Sequence, residues 1–242
     1  MLTLHSSALT DVGRVRRENE DRFLHDESAA LFGVADGVGG LPGGGEAAQL
    51  AVDELSAALR AVPAGTEADL PAIIRAINDS VVRLGQQISP QTGIGTTLTA
   101  GSVRGGILRI GHVGDSRAYL SRGGVLKRIT EDHSVENEIR RRRALGEMVT
   151  YRESQRNALT RCLGQPTPLE VDVFTETLAA GDRVVFCTDG VTRLVTDREM
   201  GEIVAKATSP KEAAETLVQL AVRRGGPDNA TAVALFAAPA GK

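Results

Sequence analysis

The stretch LFGVADGVGGLPGGGE, residues 31–46, decides how the rest of the chain is interpreted. An apolar run ends at Asp36, and a glycine-rich loop with one proline then leads to Glu46. Because glycine permits positive φ and proline fixes φ, this order predicts a strand, an irregular loop and a helix that begins near Glu46. A carboxylate beside such a loop suits an ion or a phosphate. Taken alone, a mobile linker with a solvated aspartate explains the stretch equally well.

Outside this stretch, the spacing of apolar residues predicts layered sheets that are covered by helices. Glycine pairs at 105–106 and 123–124 separate short strands, and such tight connections require antiparallel pairing. Capping boxes that begin at Thr196 and Ser209 predict two helices. The predicted strands are residues 2–9, 22–25, 29–35, 96–103, 107–113, 117–121, 125–129, 169–177, 182–187 and 230–236, and two earlier helices follow the apolar spacing of residues 51–62 and 70–88.

Composition argues against several classes of function. The 242 residues carry a net charge of −3, so no basic surface favours nucleic acid. There is no secretory signal pattern and no apolar run near the ~18 residues of a membrane span, so we expect a cytoplasmic protein with no membrane partner. Cys162 and Cys187 lack metal-type spacing and form no cluster with the four histidines, so zinc is not expected.

Three aspartates share one sequence context. Asp36, Asp189 and Asp228 each border an apolar strand and precede glycine or asparagine, and Asp115 links two further strands. Burying an unpaired carboxylate is costly, so such acids stay in water or bind a cation, and several that converge need a divalent ion to offset their repulsion. Each one alone is explained as a turn residue. Three in matching settings favour a shared site.

Ligands that are all oxygen suit Mg²⁺ or Mn²⁺ rather than zinc. Two such ions bridged by one carboxylate lower the pKa of a shared water, and the resulting hydroxide can attack phosphorus in line. The phosphoryl oxygens then need a cation. Arg16, close in sequence to Glu20 and Asp21, suits this role because its planar guanidinium matches two phosphate oxygens.

These residues belong to a series of motifs that runs along nearly the whole chain, from about residue 8 to residue 236. The motifs, in order, are Val15-Arg16, Asn19-Glu20-Asp21, VADGVGG at 34–40, Gly95-Thr96-Thr97, GHVGDSR at 111–117, ITEDH at 129–133, Thr188-Asp189-Gly190 and Asp228-Asn229. Together they resemble the metal-dependent protein phosphatases of the PP2C family, also called PPM, specifically the compact bacterial type.

The resemblance implies an α+β fold in four layers, α/β/β/α, with two central antiparallel sheets flanked by helices. It also implies one phosphatase domain over residues 1–236. Residues 134–155, which are highly charged and weakly periodic, would form a flap inserted beside the site. Residues 237–242 are expected to be a disordered tail.

The resemblance also implies a set of metal ligands. Asp36 would bridge two core Mn²⁺ or Mg²⁺ ions, and the carbonyl of Gly37 would bind one of them. Asp189 and Asp228 would complete the other site. Asp115 matches the ligand of a weaker third ion found in bacterial members of the family.

Three more residues take roles through the resemblance, and one position departs from the family. Glu20 and Asp21 would hold metal-bound waters, and Arg16 would take the substrate phosphate. Animal members often carry histidine after the Asp-Gly pair, where it is thought to protonate the leaving alkoxide. This chain has Val38 there, so a metal-bound water is the remaining candidate for that proton.

The implied activity is hydrolysis of phosphoserine and phosphothreonine in proteins without a phosphoenzyme, by a monomer that opposes a cognate bacterial Ser/Thr kinase. The similarity is closest to phosphatases that accompany type VI secretion kinases. A catalytically inactive, phosphatase-like module that binds phosphoproteins is the alternative. Residues 43–48 also match a dinucleotide-binding fingerprint, but they do not directly follow a strand in a parallel βαβ unit, which that fold requires.

Overall fold

The structure is a computed structural model, and it describes residues 2–39, 42–63, 65–150, 152, 155–156, 158–166 and 168–240. Within these residues the chain forms ten strands and six helices. In chain order they are β1 (Leu2–Asp11), β2 (Asp21–Asp26), β3 (Leu31–Asp36), α1 (Gly44–Ala61), α2 (Leu70–Ile88), β4 (Leu98–Arg104), β5 (Ile107–Val113), β6 (Arg117–Arg122), β7 (Val125–Arg128), α3 (Val135–Ala144), β8 (Asp172–Thr177), β9 (Arg183–Cys187), α4 (Asp189–Thr192), α5 (Asp197–Lys206), α6 (Pro210–Arg223) and β10 (Ala230–Pro239).

The strands form two five-stranded sheets, with orders β1-β10-β9-β6-β7 and β2-β3-β4-β5-β8. Every pairing in both sheets is antiparallel, as the short connections predict. The two sheets stack face to face, and each contributes large apolar side chains to the layer between them. Among these, Phe32, Leu108 and Ile110 come from one sheet, and Phe186, Val233 and Leu235 from the other.

Helices cover both outer faces of this sandwich. In α2, Leu70, Ile74, Ile77 and Val81 recur every three or four residues and are buried on the β2-β3-β4-β5-β8 sheet together with the apolar face of α1. Helices α5 and α6 cover the other sheet in the same way. The four-layer α+β architecture predicted from the sequence is therefore confirmed.

Side-chain caps fix where two of the predicted helices begin. Thr196 and Glu199 form the complete reciprocal capping box before α5. Before α6, Ser209 accepts a hydrogen bond from the backbone N–H of Glu212, but the Glu212 carboxylate turns to Thr208 instead. The second capping box is therefore only half formed.

The strand bounds agree with prediction to within two residues except at two places. Strand β8 begins at Asp172 rather than at 169, since Leu169 is buried in the core without ladder pairing. Strand β10 continues to Pro239, which lies opposite Leu2 of β1. The prediction of a disordered tail from 237 is therefore wrong for residues 237–239, and residues 241–242 lie outside those described.

Two further segments differ in detail from the sequence pattern. Residues 134–155 contain α3, which begins after the cap Ser134, while residues 151, 153 and 154 of this predicted flap lie outside those described. The short helix α4 was not predicted, because four residues are too few to show apolar periodicity. None of the helices in the described ranges combines the length and the apolar character that crossing a bilayer demands.

Candidate active site

A cavity of about 390 Å³ opens at the edge where strands of both sheets end. It collects acids and arginines from distant parts of the chain. Seven of the eight predicted site residues line it: Arg16, Glu20, Asp36, Gly37, Asp115, Asp189 and Asp228. The eighth, Asp21, lies beneath it.

The antiparallel topology explains this convergence. Asp36 ends β3 and lies directly opposite Asp21, the first residue of β2. In the other sheet β9 ends just before Asp189, and β10 starts just after Asp228. Because antiparallel neighbours bring the end of one strand beside the start of the next, all four acids lie at one edge of the sandwich.

Asp21 is buried below the cavity and joins the two sheets. Its Oδ2 accepts hydrogen bonds from the hydroxyls of Thr188 (2.8 Å) and Thr231 (2.6 Å), whereas its Oδ1 is buried without a hydrogen-bond partner. Burial raises the pKa of Asp21 to about 7, even though both hydroxyl donors act to lower it. A polar network connects it further to Thr10 and Asn19.

The pKa values of three other acids at the site are raised as well. Burial, followed by the charges of Asp21 and Asp189, raises the pKa of Asp36 well above its ordinary value. Burial likewise raises the pKa of Asp115 to about 7 and that of Asp189 to about 6. Carboxylates that repel one another inside a cleft are held there at a cost, and this is typical of functional sites.

The backbone around Asp36 is fixed by two threonines. The carbonyl of Asp36 accepts hydrogen bonds from the Thr97 N–H (2.8 Å) and the Thr96 hydroxyl (3.0 Å). The next residue, Gly37, packs so closely on the start of α1 that a Cβ there would lie 2.5 Å from the carbonyl carbon of Gly44. The glycine-rich stretch thus brings the N-terminus of a helix close to the end of β3.

Asn229 positions the loop before β2, a role that the sequence analysis did not predict. Its side-chain amide donates to the carbonyls of Val12 (2.9 Å) and Glu18 (3.0 Å), and its oxygen accepts from the Glu20 N–H (2.8 Å). The side chain therefore fastens the loop before β2 to the start of β10. Its place in the Asp228-Asn229 motif was a signal, but the contacts are between residues about 210 positions apart.

Two guanidinium groups face the acids. Arg16 Nη2 lies 2.9 Å from Asp228 Oδ2, so Arg16 is close to the acids that the sequence analysis grouped with it. Arg193, which sequence analysis missed, forms an ion pair with Asp189, and its Nη1 lies 3.7 Å from Asp228 Oδ2. Its position four residues after Asp189 was the available signal, because such pairs share one helix face.

The donor set fits hard divalent cations. The cavity offers carboxylate and carbonyl oxygens, and one oxygen each of Asp21 and Asp189 is buried without a hydrogen-bond partner. In the described part of the chain no three His, Cys, Asp or Glu side chains are disposed to hold a metal as they stand, and arginines neutralise Asp189 and Asp228 instead. Among the described lining residues none is a histidine, and Val38 lies at the position noted above.

The family model for "Protein phosphatase 2C" matches residues 14–222 of this chain. The chain belongs to the protein phosphatase 2C family. This confirms the family resemblance inferred from the ordered motifs. The serine/threonine phosphatase stp of Listeria monocytogenes is 34% identical to this chain over 236 residues, which cover 94% of each protein.

Solved structures of related phosphatases agree with the fold. The catalytic domain of the serine/threonine phosphatase PstP, in complex with two manganese ions, is 33% identical and matches with a TM-score of 0.85 over 98% of this chain and 100% of that one. PppA, a regulatory component of the type VI secretion system in Pseudomonas aeruginosa, is 31% identical, with a TM-score of 0.78 over 97% of both chains.

Proposed function

We propose that this chain is a metal-dependent protein serine/threonine phosphatase that hydrolyses phosphoserine and phosphothreonine esters. The observation that carries the proposal is the meeting of Asp36, Asp189 and Asp228 in one cavity that also contains Arg16. The predicted enzyme class agrees with the names of curated relatives, which are serine/threonine phosphatases.

Five residues supply the oxygens that would hold the ions. Asp36 would bridge two ions, the Gly37 carbonyl would bind one, and Asp189 and Asp228 would complete the other site, with Asp115 beside a weaker third. Two bound Mn²⁺ or Mg²⁺ ions would activate water for in-line attack on phosphorus and neutralise the phosphoryl oxygens. The manganese in the PstP catalytic domain supports this choice of metal.

The chain's own side chains bind and orient the ester. Arg16 lies at the rim, with 38% of its side chain exposed, so its guanidinium can exchange Asp228 for two phosphate oxygens. Asp21 links the two sheets below the cavity by accepting hydrogen bonds from the hydroxyls of Thr188 and Thr231. Since Val38 has no proton to give, water in the cavity is our candidate for the group that protonates the departing serine or threonine oxygen.

The wider setting forms part of the proposal. We infer that residues 1–236 act as one catalytic domain, with 134–155 as a flap that contacts the substrate. The substrates are phosphorylated proteins, and the opposing enzyme is a cognate bacterial Ser/Thr kinase in the cytoplasm, where the chain works as a monomer. The similarity to PppA supports a link to type VI secretion. A phosphoproteome comparison of wild-type and deletion strains would identify the substrates.

Release of phosphate from a phosphothreonine peptide in Mn²⁺ tests the activity. We expect turnover that a chelator abolishes and that Asp36→Asn lowers by more than about 100-fold, because loss of a residue that only supports a ligand already costs about 10–100-fold. Asp79→Asn, on the exposed face of α2, makes the same change in charge and should leave turnover intact.

Near-normal turnover by Asp36→Asn would exclude Asp36 as a ligand shared by the two ions. Binding of the peptide without phosphate release, in Mn²⁺ and in Mg²⁺, would instead support the inactive binding module.

A further inference from the structure

Arg193 reaches into the cavity from the end of α4 and contacts two acids at once. Its guanidinium pairs with Asp189, and Nη1 lies 3.7 Å from Oδ2 of Asp228. The Arg193 side chain is 39% exposed, whereas the side chains of Asp189 and Asp228 are only 12% and 19% exposed. One guanidinium group therefore neutralises two acids that are more buried than it is.

The local backbone holds Arg193 in this place. Helix α4 begins at Asp189, and the N–H of Arg193 donates to the Asp189 carbonyl at 2.8 Å, which closes one helical turn. Residues four apart on a helix lie on the same face, so the guanidinium of Arg193 is within reach of the Asp189 carboxylate. Arg16, by contrast, comes from a loop before β2 and pairs with Asp228.

We propose that Arg193 is an internal competitor of the divalent cation that Asp189 and Asp228 bind, and that it sets the metal affinity of this site. The proposal rests on the proposed function, because it takes these two acids as metal ligands. The guanidinium contacts Oδ2 of both acids, whereas Oδ1 of Asp189 has no hydrogen-bond partner. An ion held by both acids would therefore compete with Arg193 for their negative charge, and Arg193 would remain nearby as a positive charge.

The size of the effect follows from Coulomb's law. In a water-like dielectric, a unit charge about 6 Å from a divalent ion changes its dissociation constant by about tenfold. In the metal-free protein the same charge has the opposite effect, because it offsets the repulsion between Asp189 and Asp228. Arg193 thus stabilises the empty site and weakens the loaded one. Activity would then depend on the concentration of metal over a higher range than it would without Arg193.

Calorimetric titration of the metal-free protein with MnCl₂ tests this directly and needs no activity measurement. Arg193→Gln should bind Mn²⁺ about tenfold more tightly than wild type and should melt at a lower temperature without metal. Arg193→Lys keeps the charge but cannot span both acids, so its dissociation constant should fall between the two.

Arg198→Gln is the matched control, since it makes the same change in net charge at an exposed arginine of α5 that pairs with Glu202. It should leave both the Mn²⁺ affinity and the melting temperature as in wild type.

Unchanged Mn²⁺ binding by Arg193→Gln would overturn the proposal. Weaker binding would overturn it as well, because it would show that Arg193 orients the ligands rather than competing with the ion. Should Arg193→Gln fail to fold, the neutral variant Arg193→Met takes its place, and an unchanged dissociation constant in that variant overturns the proposal. Wild-type protein that binds no Mn²⁺ would refute the proposed function and this inference together, which distinguishes that failure from the others.

Discussion

Replacing Asp21 with asparagine should prevent much of the loss of stability that the metal-free protein undergoes as pH rises from about 4 to about 8. Asp21 is 2% exposed, and its Oδ1 has no hydrogen-bond partner. Burial raises its pKa from 3.8 to about 7. The folded state therefore holds a proton that the unfolded chain has already released.

The sign and size follow from proton linkage. Below pH 3.8 the carboxyl is neutral in both states, so its stabilising contribution is fully present. As pH rises through the folded pKa of about 7, that contribution is lost. At ~1.4 kcal/mol per pKa unit, the complete loss is on the order of 4 kcal/mol in the free energy of unfolding.

Urea unfolding in a chelator, across this pH range, measures the effect. Asparagine resembles the protonated acid and can still accept from Thr188 and Thr231, so Asp21→Asn should be more stable than wild type near pH 8 and similar to it near pH 4. The pKa values of Asp115 and Asp189 are raised as well, so the variant should keep a weaker pH dependence of the same sign.

Two controls complete the design. Asp79→Asn, at an exposed site on α2, should follow the wild-type pH dependence. Added Mn²⁺ should restore stability to wild type near pH 8, because ligands that bind only the folded state stabilise it. An identical pH dependence in wild type and Asp21→Asn would refute the conclusion that this buried carboxyl strains the metal-free site.

Three further substitutions test other parts of the structure. Arg16→Ala should raise KM for a phosphopeptide by about tenfold or more, with a smaller effect on kcat, because it removes a charge-assisted contact to the phosphate. Steady-state kinetics that showed an unchanged KM would exclude the phosphate-binding role. Gly190→Ala should destabilise the fold by about 3 kcal/mol in urea unfolding, the upper end of typical overpacking costs, because its Cβ would overlap the carbonyl oxygen of Asn229. A variant as stable as wild type would mean that β10 can move away from α4. Arg117→Ala should cost about 2–4 kcal/mol in the same assay, since it leaves the largely buried Asp132 without its bidentate partner, whereas Arg141→Ala, which breaks an exposed pair, should have no measurable effect.

Much of the fold could be predicted from the sequence because its signals are local. Alternating apolar residues and glycine turns gave strands β1 to β7 to within two residues, and the apolar spacing of α2 gave its buried face. The errors came where local pattern and tertiary pairing differ. Strand β10 continues to Pro239 because β1 pairs with it, although the segment AAP has no strand pattern of its own.

The chemistry of the site was also legible in part. Residue type and ordered motifs indicated that Asp36, Asp189 and Asp228 act together, and the structure brings them to one cavity. No local pattern could show that Asp21 lies beneath that cavity or that Asn229 fastens the loop before β2. Those facts depend on contacts such as the hydrogen bond from Thr231 to Asp21, between residues 210 positions apart.

The sequence by itself determined which elements form, which residues are capable of the chemistry, and the family to which they belong, because propensity, periodicity and motif order are properties of short segments. Only the tertiary structure decided which charges meet. The pairing of Arg193 with Asp189 and Asp228, and the raised pKa values of the buried acids, arise from burial and through-space charge, which depend on distances that exist only after the two sheets have stacked.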